Sequence, residues 1–384
     1  MATAYGTKIP LTNVERIEVL KGPQGTLFGR NAAGGLINII TKDPQQDPEF
    51  TGRVAYGNYD TVEGSAYLTT GITENIAANL AVTYFDRGDG FGRNIHTGNP
   101  TYLTRDYSLR SKVKFTPSDR TTFVLAGDYT HFRTGEGESR QFFPDVVGLD
   151  QTTTYSGDYY GATGSIDTVL WGYAWGVSGH LTQEFDAFDV KSITAYRRAK
   201  ANQLIDNDFT TLDLAVVDYH GAFKTFTQEL QVTSKPDSPI KWIAGLFYLN
   251  DTSGFDTPKG ISLFGPVFGT NVAVRNAIKT RSYAAFGEVT VPLGEATNIT
   301  AGGRYTIDKR KLYGDTLIFD PSATYDAPGD PLLALPTETR KKTYKQATYR
   351  LILDHHFAED VMGYASYSRG FKAGNFNSIA PTDA

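Results

Sequence analysis

From residue 52 onward the chain is a succession of segments of about ten residues in which polar and apolar side chains alternate, joined by connections that are sorted by length. Short connections fall near residues 71–75, 116–120, 186–187, 235–240, 292–297 and 356–360, and long ones near 87–105, 133–172, 201–222, 253–280 and 311–342. After the first hairpin the two kinds alternate strictly. One rim of such a sheet carries tight turns and the other large loops, as an up-and-down barrel standing in a membrane requires. A soluble sandwich or propeller has no reason to sort its loops this way.

The segments themselves are two-sided. From Ser108 to Phe115 every even position is polar and the odd ones are apolar except Ser111. Phe226, Leu230 and Val232 alternate with Thr225, Thr227, Glu229, Gln231 and Thr233; Ala347, Tyr349, Leu351 and Leu353 with Gln346, Thr348 and Arg350; Ala78, Leu80, Val82 and Tyr84 with Asn79 and Thr83. Aromatic residues gather at segment ends, and Tyr84, Phe85, Tyr129, Phe132, Tyr196, Trp242, Phe247, Tyr248, Tyr305, Tyr364 and Tyr367 are expected in interfacial girdles. The pattern predicts an all-β fold, a partial antiparallel up-and-down transmembrane β-barrel of about 13 strands. Single-chain bacterial barrels close on an even number, so an unpaired edge is expected.

Other classes are excluded on simple grounds. The longest apolar stretch, Leu36 to Ile40, is far short of the roughly 18 residues of a spanning helix. The chain holds 23 Tyr and 23 Phe but only 2 Met, a profile of twisted sheet rather than helix. With 0 Cys it has neither a disulfide framework nor a thiolate metal site, which suits passage through an oxidising periplasm. The net charge of −5 comes with no basic cluster able to track a nucleic-acid backbone, so nucleic acid is not an expected partner.

Residues 14–42 form a separate unit. The alternating run Val14 to Lys21 predicts a strand, Gly22-Pro23-Gln24-Gly25 a turn, Asn31-Ala32-Ala33-Gly34-Gly35 a second flexible hinge, and Leu36 to Ile40 a second strand. Two prolines in Thr41 to Pro48 mark a boundary, giving domains 1–48 and 49–384. Gly22, Gly25, Gly29, Gly34 and Gly35 permit positive φ or close backbone packing, and Arg16, Lys21 and Arg30 are candidates to pair with lumen carboxylates such as Glu229 or Glu288.

The run from Val14 to Lys42, with VLKGPQGTLFGRNAAGG at its centre, closely resembles the C-terminal part of the plug domain of TonB-dependent outer-membrane receptors. Tyr364-Ala365-Ser366-Tyr367-Ser368-Arg369-Gly370-Phe371-Lys372-Ala373-Gly374-Asn375-Phe376-Asn377 is similar to a mid-barrel segment of the same receptors, especially siderophore transporters. The resemblance implies a plugged barrel of about 22 strands, of which this chain holds the end of the plug and the first part of the barrel. It also implies a signal peptide, a TonB-pairing motif and the first half of the plug ahead of Met1; none is visible in Met1 to Lys8. The function expected is import of a ligand such as a ferric siderophore into the periplasm, powered by the TonB energy-coupling complex, from the bacterial outer membrane and in contact with its lipid. No catalysis and no cofactor are implied.

A passive porin or adhesin-type barrel should lack the unit at 14–42, and a soluble β-rich binding module should lack a lipid-facing band. The glycine-rich turn after Lys21 has no Gly-Lys-Ser/Thr ending and no dinucleotide spacing. The adjacent His355 and His356 point to opposite faces of a strand, which a shared metal would not tolerate. Asp206-Asn207-Asp208 with Asp213, and Asp86 to Asp89, lack EF-hand ligand spacing for Ca²⁺. In the long loops Phe142, Phe143, Tyr155, Tyr159, Tyr160, Tyr219 and His220 are candidates to touch a captured ligand, since aromatic side chains bury area at low entropy cost.

Overall fold

The computed structural model describes residues 12–32, 34–135, 147–154, 159–255 and 259–378. Seventeen strands follow one another: β1 (Val14–Lys21), β2 (Gly35–Thr41), β3 (Glu49–Gly57), β4 (Thr61–Thr73), β5 (Ile76–Arg87), β6 (Thr104–Ser118), β7 (Thr121–Thr134), β8 (Val169–Glu184), β9 (Phe188–Asp206), β10 (Val216–Ser234), β11 (Lys241–Gly254), β12 (Ile261–Phe264), β13 (Val272–Pro292), β14 (Thr297–Ile318), β15 (Leu333–Pro336), β16 (Arg340–Ala358) and β17 (Val361–Arg369). Among the described residues β1 and β2 pair only with each other, as an antiparallel ribbon. The rest form one antiparallel sheet in chain order from β3 to β17, with β12 and β15 as short additions beside β10, β13 and β14. Among the described residues β3 and β17 do not pair with each other, so the sheet is a partial barrel wall with two edges.

The register shows why the sequence alternates. Leu230, Leu246, Ala285, Tyr305 and Ala347 face one another across five strands, and Val289, Ala301 and Leu351 form another apolar row nearer the short turns. These side chains point away from the lumen. Their chain neighbours Glu288, Arg304, Thr306, Asp308 and Arg350 point inward, because successive residues of a strand take opposite faces. Aromatic rings touch along the outward face at Tyr107–Tyr129 (6.2 Å), Trp175–Tyr196 (5.5 Å), Phe226–Tyr248 (6.2 Å) and Tyr248–Tyr283 (5.2 Å), giving a girdle below the long loops.

Parity corrects four of the expected girdle residues. Phe85, Phe132, Phe247 and Tyr364 have the inward parity of their strands; Phe132 is 1% exposed and packs on Leu170 and Ala201. The long connections are also shorter than expected, since β9, β10, β13 and β14 run 19, 19, 21 and 22 residues and rise well past the girdle. About ten residues span a bilayer, so roughly half of each strand stands outside it. There water wets both faces and the alternation that marks a strand in sequence fades.

Candidate functional site

The hinge between β1 and β2 is where the ribbon meets the wall. Gln24 N donates to the Ala32 carbonyl at 2.8 Å and Phe28 N to the Gln24 carbonyl at 3.0 Å, which folds residues 24–32 into a compact loop. Opposite it, the inward residues of β13, β14 and β16 form a polar ladder. Glu288, Gly302 and Arg350 lie in one row, and Arg304 and Thr348 in the next.

Contacts between loop and ladder are polar almost throughout. Arg30 Nη1 donates to Asp308 Oδ2 at 2.5 Å, with the Asp308 side chain 0% exposed. Arg310 lies 3.7 Å from the same oxygen and donates to Asn375 Oδ1 at 2.7 Å. Arg304 Nη1 donates to the Leu27 carbonyl at 3.4 Å, while its guanidinium lies over Phe247 and Phe286 at 5.3 and 5.2 Å. Arg350 grips Glu288 with both arms of its fork and reaches Gln24 Oε1 at 3.3 Å. Thr348 Oγ1 donates to the Gly25 carbonyl at 3.2 Å, and Asn31 N donates to the Phe371 carbonyl at 3.2 Å.

Gly29 sits under this ladder at φ +78°, and a Cβ there would stand 3.1 Å from Arg304 Nη2. Gly29→Ala therefore both strains the backbone and pushes on a buried guanidinium. We expect a loss of about 1–2 kcal/mol in docking of the loop, measured by hydrogen exchange of residues 24–32. Gly25 differs: it approaches the Gly370 backbone, with a Cβ meeting Gly370 Cα and Thr348 at 3.4 Å, an ordinary contact.

A second set of contacts ties the end of the ribbon to β4, β5 and β6. Lys112 Nζ donates to the Thr41 carbonyl at 2.9 Å and pairs with Asp43 at 2.7 Å; Asn79 Nδ2 donates to the Lys42 carbonyl at 3.1 Å. Arg110 Nη1 donates to Asn13 Oδ1 at 3.3 Å, and Gln45 N to Thr69 Oγ1 at 2.9 Å.

Of the expected charged hinge residues, Arg30 alone bonds the wall, and its partner is Asp308. Glu288 is held by Arg350, and Glu229 accepts from Gln231. Arg16 pairs with Glu15 and Glu18 inside the ribbon, and Lys21 is exposed. Gly22 takes φ +76° in open space, Gly34 has nothing within 4 Å of a Cβ, and Gly35, at φ +145°, lies against the Leu20 carbonyl.

The aromatic loop candidates separate into two places. Tyr159 and Tyr160 join Phe91 and Tyr102 in a cluster, with Tyr160 5.5 Å from Phe91 and 5.0 Å from Tyr159. Tyr160 is thus used in loop packing, whereas Tyr159 stays 64% exposed. Tyr219 and His220 belong to β10 instead. Tyr219 faces a hollow of about 340 Å³ whose lining includes Leu170, Gln203, Phe223 and Phe255. His220 takes the other face, 2.8 Å from Asp218 and edge-on to Trp171. Phe142, Phe143 and Tyr155 lie outside the described residues.

The acidic stretch at the top of β9 serves the loop fold. Asp208 accepts from Thr210 N at 3.0 Å and Ala215 N at 2.6 Å, and buried Asp206 accepts from Ser165 N at 2.7 Å and Phe209 N at 3.0 Å. Burial, reinforced by the Asp208 charge, pushes the Asp206 carboxyl up to about 6. A raised carboxyl favours the protonated folded loop: the added stability is full below about pH 4 and is lost as pH rises through 6. We expect the Ser165 and Phe209 amides to be more protected from exchange at pH 5 than at pH 7.5, by about 1–1.5 kcal/mol after correction for intrinsic rates. Asp206→Asn should flatten that dependence.

Comparison with known proteins bears on this arrangement. A family model described as TonB dependent receptor-like, beta-barrel matches residues 40–383, and the TonB-dependent Receptor Plug Domain matches residues 2–36. The pesticin receptor of Yersinia pestis is 55% identical over 111 residues, covering 29% of this chain and 16% of that protein. The vitamin B12 transporter BtuB of Vibrio cholerae is 40% identical over 82 residues, covering 21% of this chain and 13% of that protein. The crystal structure of the ferric yersiniabactin uptake receptor FyuA from Yersinia pestis superposes with a TM-score of 0.73 at 20% identity, over 97% of this chain and 54% of that one. The shared feature there is the fold, and this chain spans about half the length of that receptor.

Proposed function

The chain belongs to the TonB-dependent receptors of the bacterial outer membrane, and from that premise we propose that it is the plug-end and first barrel part of an active importer of a ferric siderophore. We place the division between the two parts at residue 48, with 1–48 as plug and 49–384 as barrel. The family is one of receptors and transporters rather than enzymes.

One observation carries the transport reading: the loop at 24–32 is held by hydrogen bonds and ion pairs from Arg304, Asp308, Thr348 and Arg350. Water can replace such contacts one at a time, so a pull on the plug shifts it without exposing a large apolar surface. A porin has no use for a wall built to hold a removable segment. The hollow beside Tyr219 is the place on the described wall where an aromatic, amphipathic ligand would rest before the plug moves. The ligand class follows from the name of the structural neighbour, a ferric yersiniabactin uptake receptor; the B12 transporter supplies the competing class.

The test is uptake by the complete receptor in cells, with radio-iron siderophores and labelled cobalamin supplied in parallel. Iron accumulation should stop on adding a protonophore while surface binding persists, and Tyr219→Ala should weaken that binding. Accumulation that continues in de-energised cells would show a passive pore, and uptake of cobalamin alone would replace the siderophore.

A further inference from the structure

β17 ends in the middle of the wall. Its last pair is Arg369 with Tyr349, and among the described residues nothing from Gly370 to Ser378 pairs with a strand. No proline stops it there, and Ala365, Tyr367, Phe371 and Ala373 keep the period of a strand, with Arg369 the exception. What draws the segment off β16 is what it touches inside. Asn31 N donates to the Phe371 carbonyl at 3.2 Å, Gly370 lies against Gly25, and Ala373 is buried. At its far end Asn375 Oδ1 accepts from Arg310 Nη1 at 2.7 Å, and a Cβ on Gly374 would stand 2.6 Å from the Tyr344 hydroxyl. The segment lies over the hinge loop and is fastened to β14 at one end, with Gly370 and Gly374 free to bend on either side of it.

Arg310 touches both fastenings of the hinge. It holds Asn375, and its Nη2 stands 3.7 Å from Asp308 Oδ2, the oxygen that takes Arg30 Nη1 at 2.5 Å. Two cations thus share one buried carboxylate. Asp308 Oδ1 and Arg310 Nε, both buried, have no hydrogen-bond partner among the described residues. Nε and Nη2 against Oδ1 and Oδ2 are the atoms that a side-on arginine–carboxylate fork uses. Closing that fork takes a shift of about 1 Å, from 3.7 Å to the roughly 2.8 Å of a charge-assisted bond.

We propose that Arg310 and residues 370–375 form a release clasp for the plug hinge. When the plug is pulled, Arg310 lets go of Asn375 and forks onto Asp308. Arg30 then leaves without stranding a buried charge, and the segment over the loop comes loose in the same movement. The clasp rests on the reading of the 24–32 loop as the part that shifts in transport.

The experiment pulls the plug of the complete receptor, held in a bilayer, from its N-terminal end at constant force and with no ligand present. A Gly25→Cys, Thr348→Cys pair identifies the hinge event. A Cβ at Gly25 stands 3.6 Å from Thr348 Cβ, within disulfide reach, so oxidation should abolish the event and reductant restore it. Arg310→Gln has no charge to offer Asp308 and should lengthen the lifetime of the docked hinge about tenfold, whereas Arg310→Lys should stay within about twofold of the parent. Asn375→Ala unfastens the segment and should shorten that lifetime about tenfold. Hydrogen exchange of residues 24–32 in the resting receptor separates release from bracing: Arg310→Gln should keep protection at the parent level or above, while loss of a merely bracing arginine would lower it. Heat-modifiable mobility confirms that each variant is folded. A lifetime that is shortened or unchanged in Arg310→Gln, protection that falls in that variant, or an unchanged lifetime in Asn375→Ala overturns the clasp and leaves the transport reading standing. A parent receptor in which no pull releases the hinge overturns both.

Discussion

Replacing Arg30 with alanine should free the hinge loop from the wall while leaving the barrel strands in place. Asp308 is 0% exposed, and Arg30 is the cation that bonds it, at 2.5 Å. Removing one partner of a buried pair leaves the other charge without compensation, at a cost of about 3–5 kcal/mol. Arg310, 3.7 Å from the same carboxylate, partly covers the loss, which sets the expectation near 3 kcal/mol. Undocking releases that strain, so the cost falls on the loop. Exchange protection of residues 24–32 in the complete receptor should drop by about two orders of magnitude, while amides in the middle of β13 and β14 keep theirs. Cells carrying the variant should also become sensitive to antibiotics too large for an intact outer membrane. Protection of the loop that survives the change would mean that the Arg304 and Arg350 contacts hold it unaided, and that the Arg30 pair is incidental.

How far this arrangement could be read beforehand depends on which environments met at each strand. Where lipid lies on one side and the lumen on the other, parity is written in the sequence, and the faces of Ser108 to Phe115 or Ala347 to Leu353 follow directly. The ribbon was equally legible, since Val14 to Lys21 and Leu36 to Ile40 are bounded by turn residues. Above the girdle both faces are wet, and the upper halves of β9, β10, β13 and β14 read as loop. Phe132 and Phe247 differ from their expected place for a simpler reason: aromatic identity alone suggests the girdle, whereas Tyr129 and Tyr248 fix the outward phase of those strands and put both phenylalanines on the lumen side.

The wall side of the site was the part least accessible. Arg30 and Asp308 are 278 residues apart, and no local rule sets the height at which a loop meets a wall. Yet a signal was present in β14. Arg304, Thr306, Asp308 and Arg310 share one parity, against Tyr305 and Ile307 on the other. Two arginines and an aspartate on one face of a membrane strand mark a lumen ladder that needs a partner, and that partner proved to be the plug hinge rather than solvent.

The assignment of the two faces predicts a strong asymmetry between neighbouring positions. Ala244 of β11 faces Val232 of β10 on the outward side, and Gln231 faces Gly245 one residue away on the lumen side, at the same depth. Arginine at Ala244 has no carboxylate to meet and stands in the middle of the apolar band, where its cost is about 2–4 kcal/mol. Arginine at Gln231 has Glu229 beside it, which Gln231 already contacts, and should change stability by no more than about 0.5 kcal/mol. The natural chain obeys the same depth rule: Lys345 has outward parity but lies opposite Ile307, in the girdle row of Tyr248 and Tyr283 and above the apolar band. Denaturant unfolding of the complete receptor in vesicles should separate Ala244→Arg from Gln231→Arg by at least 1.5–2 kcal/mol. Equal costs would mean that the outward face at this depth is wet, and with it the membrane placement of the whole wall would fail.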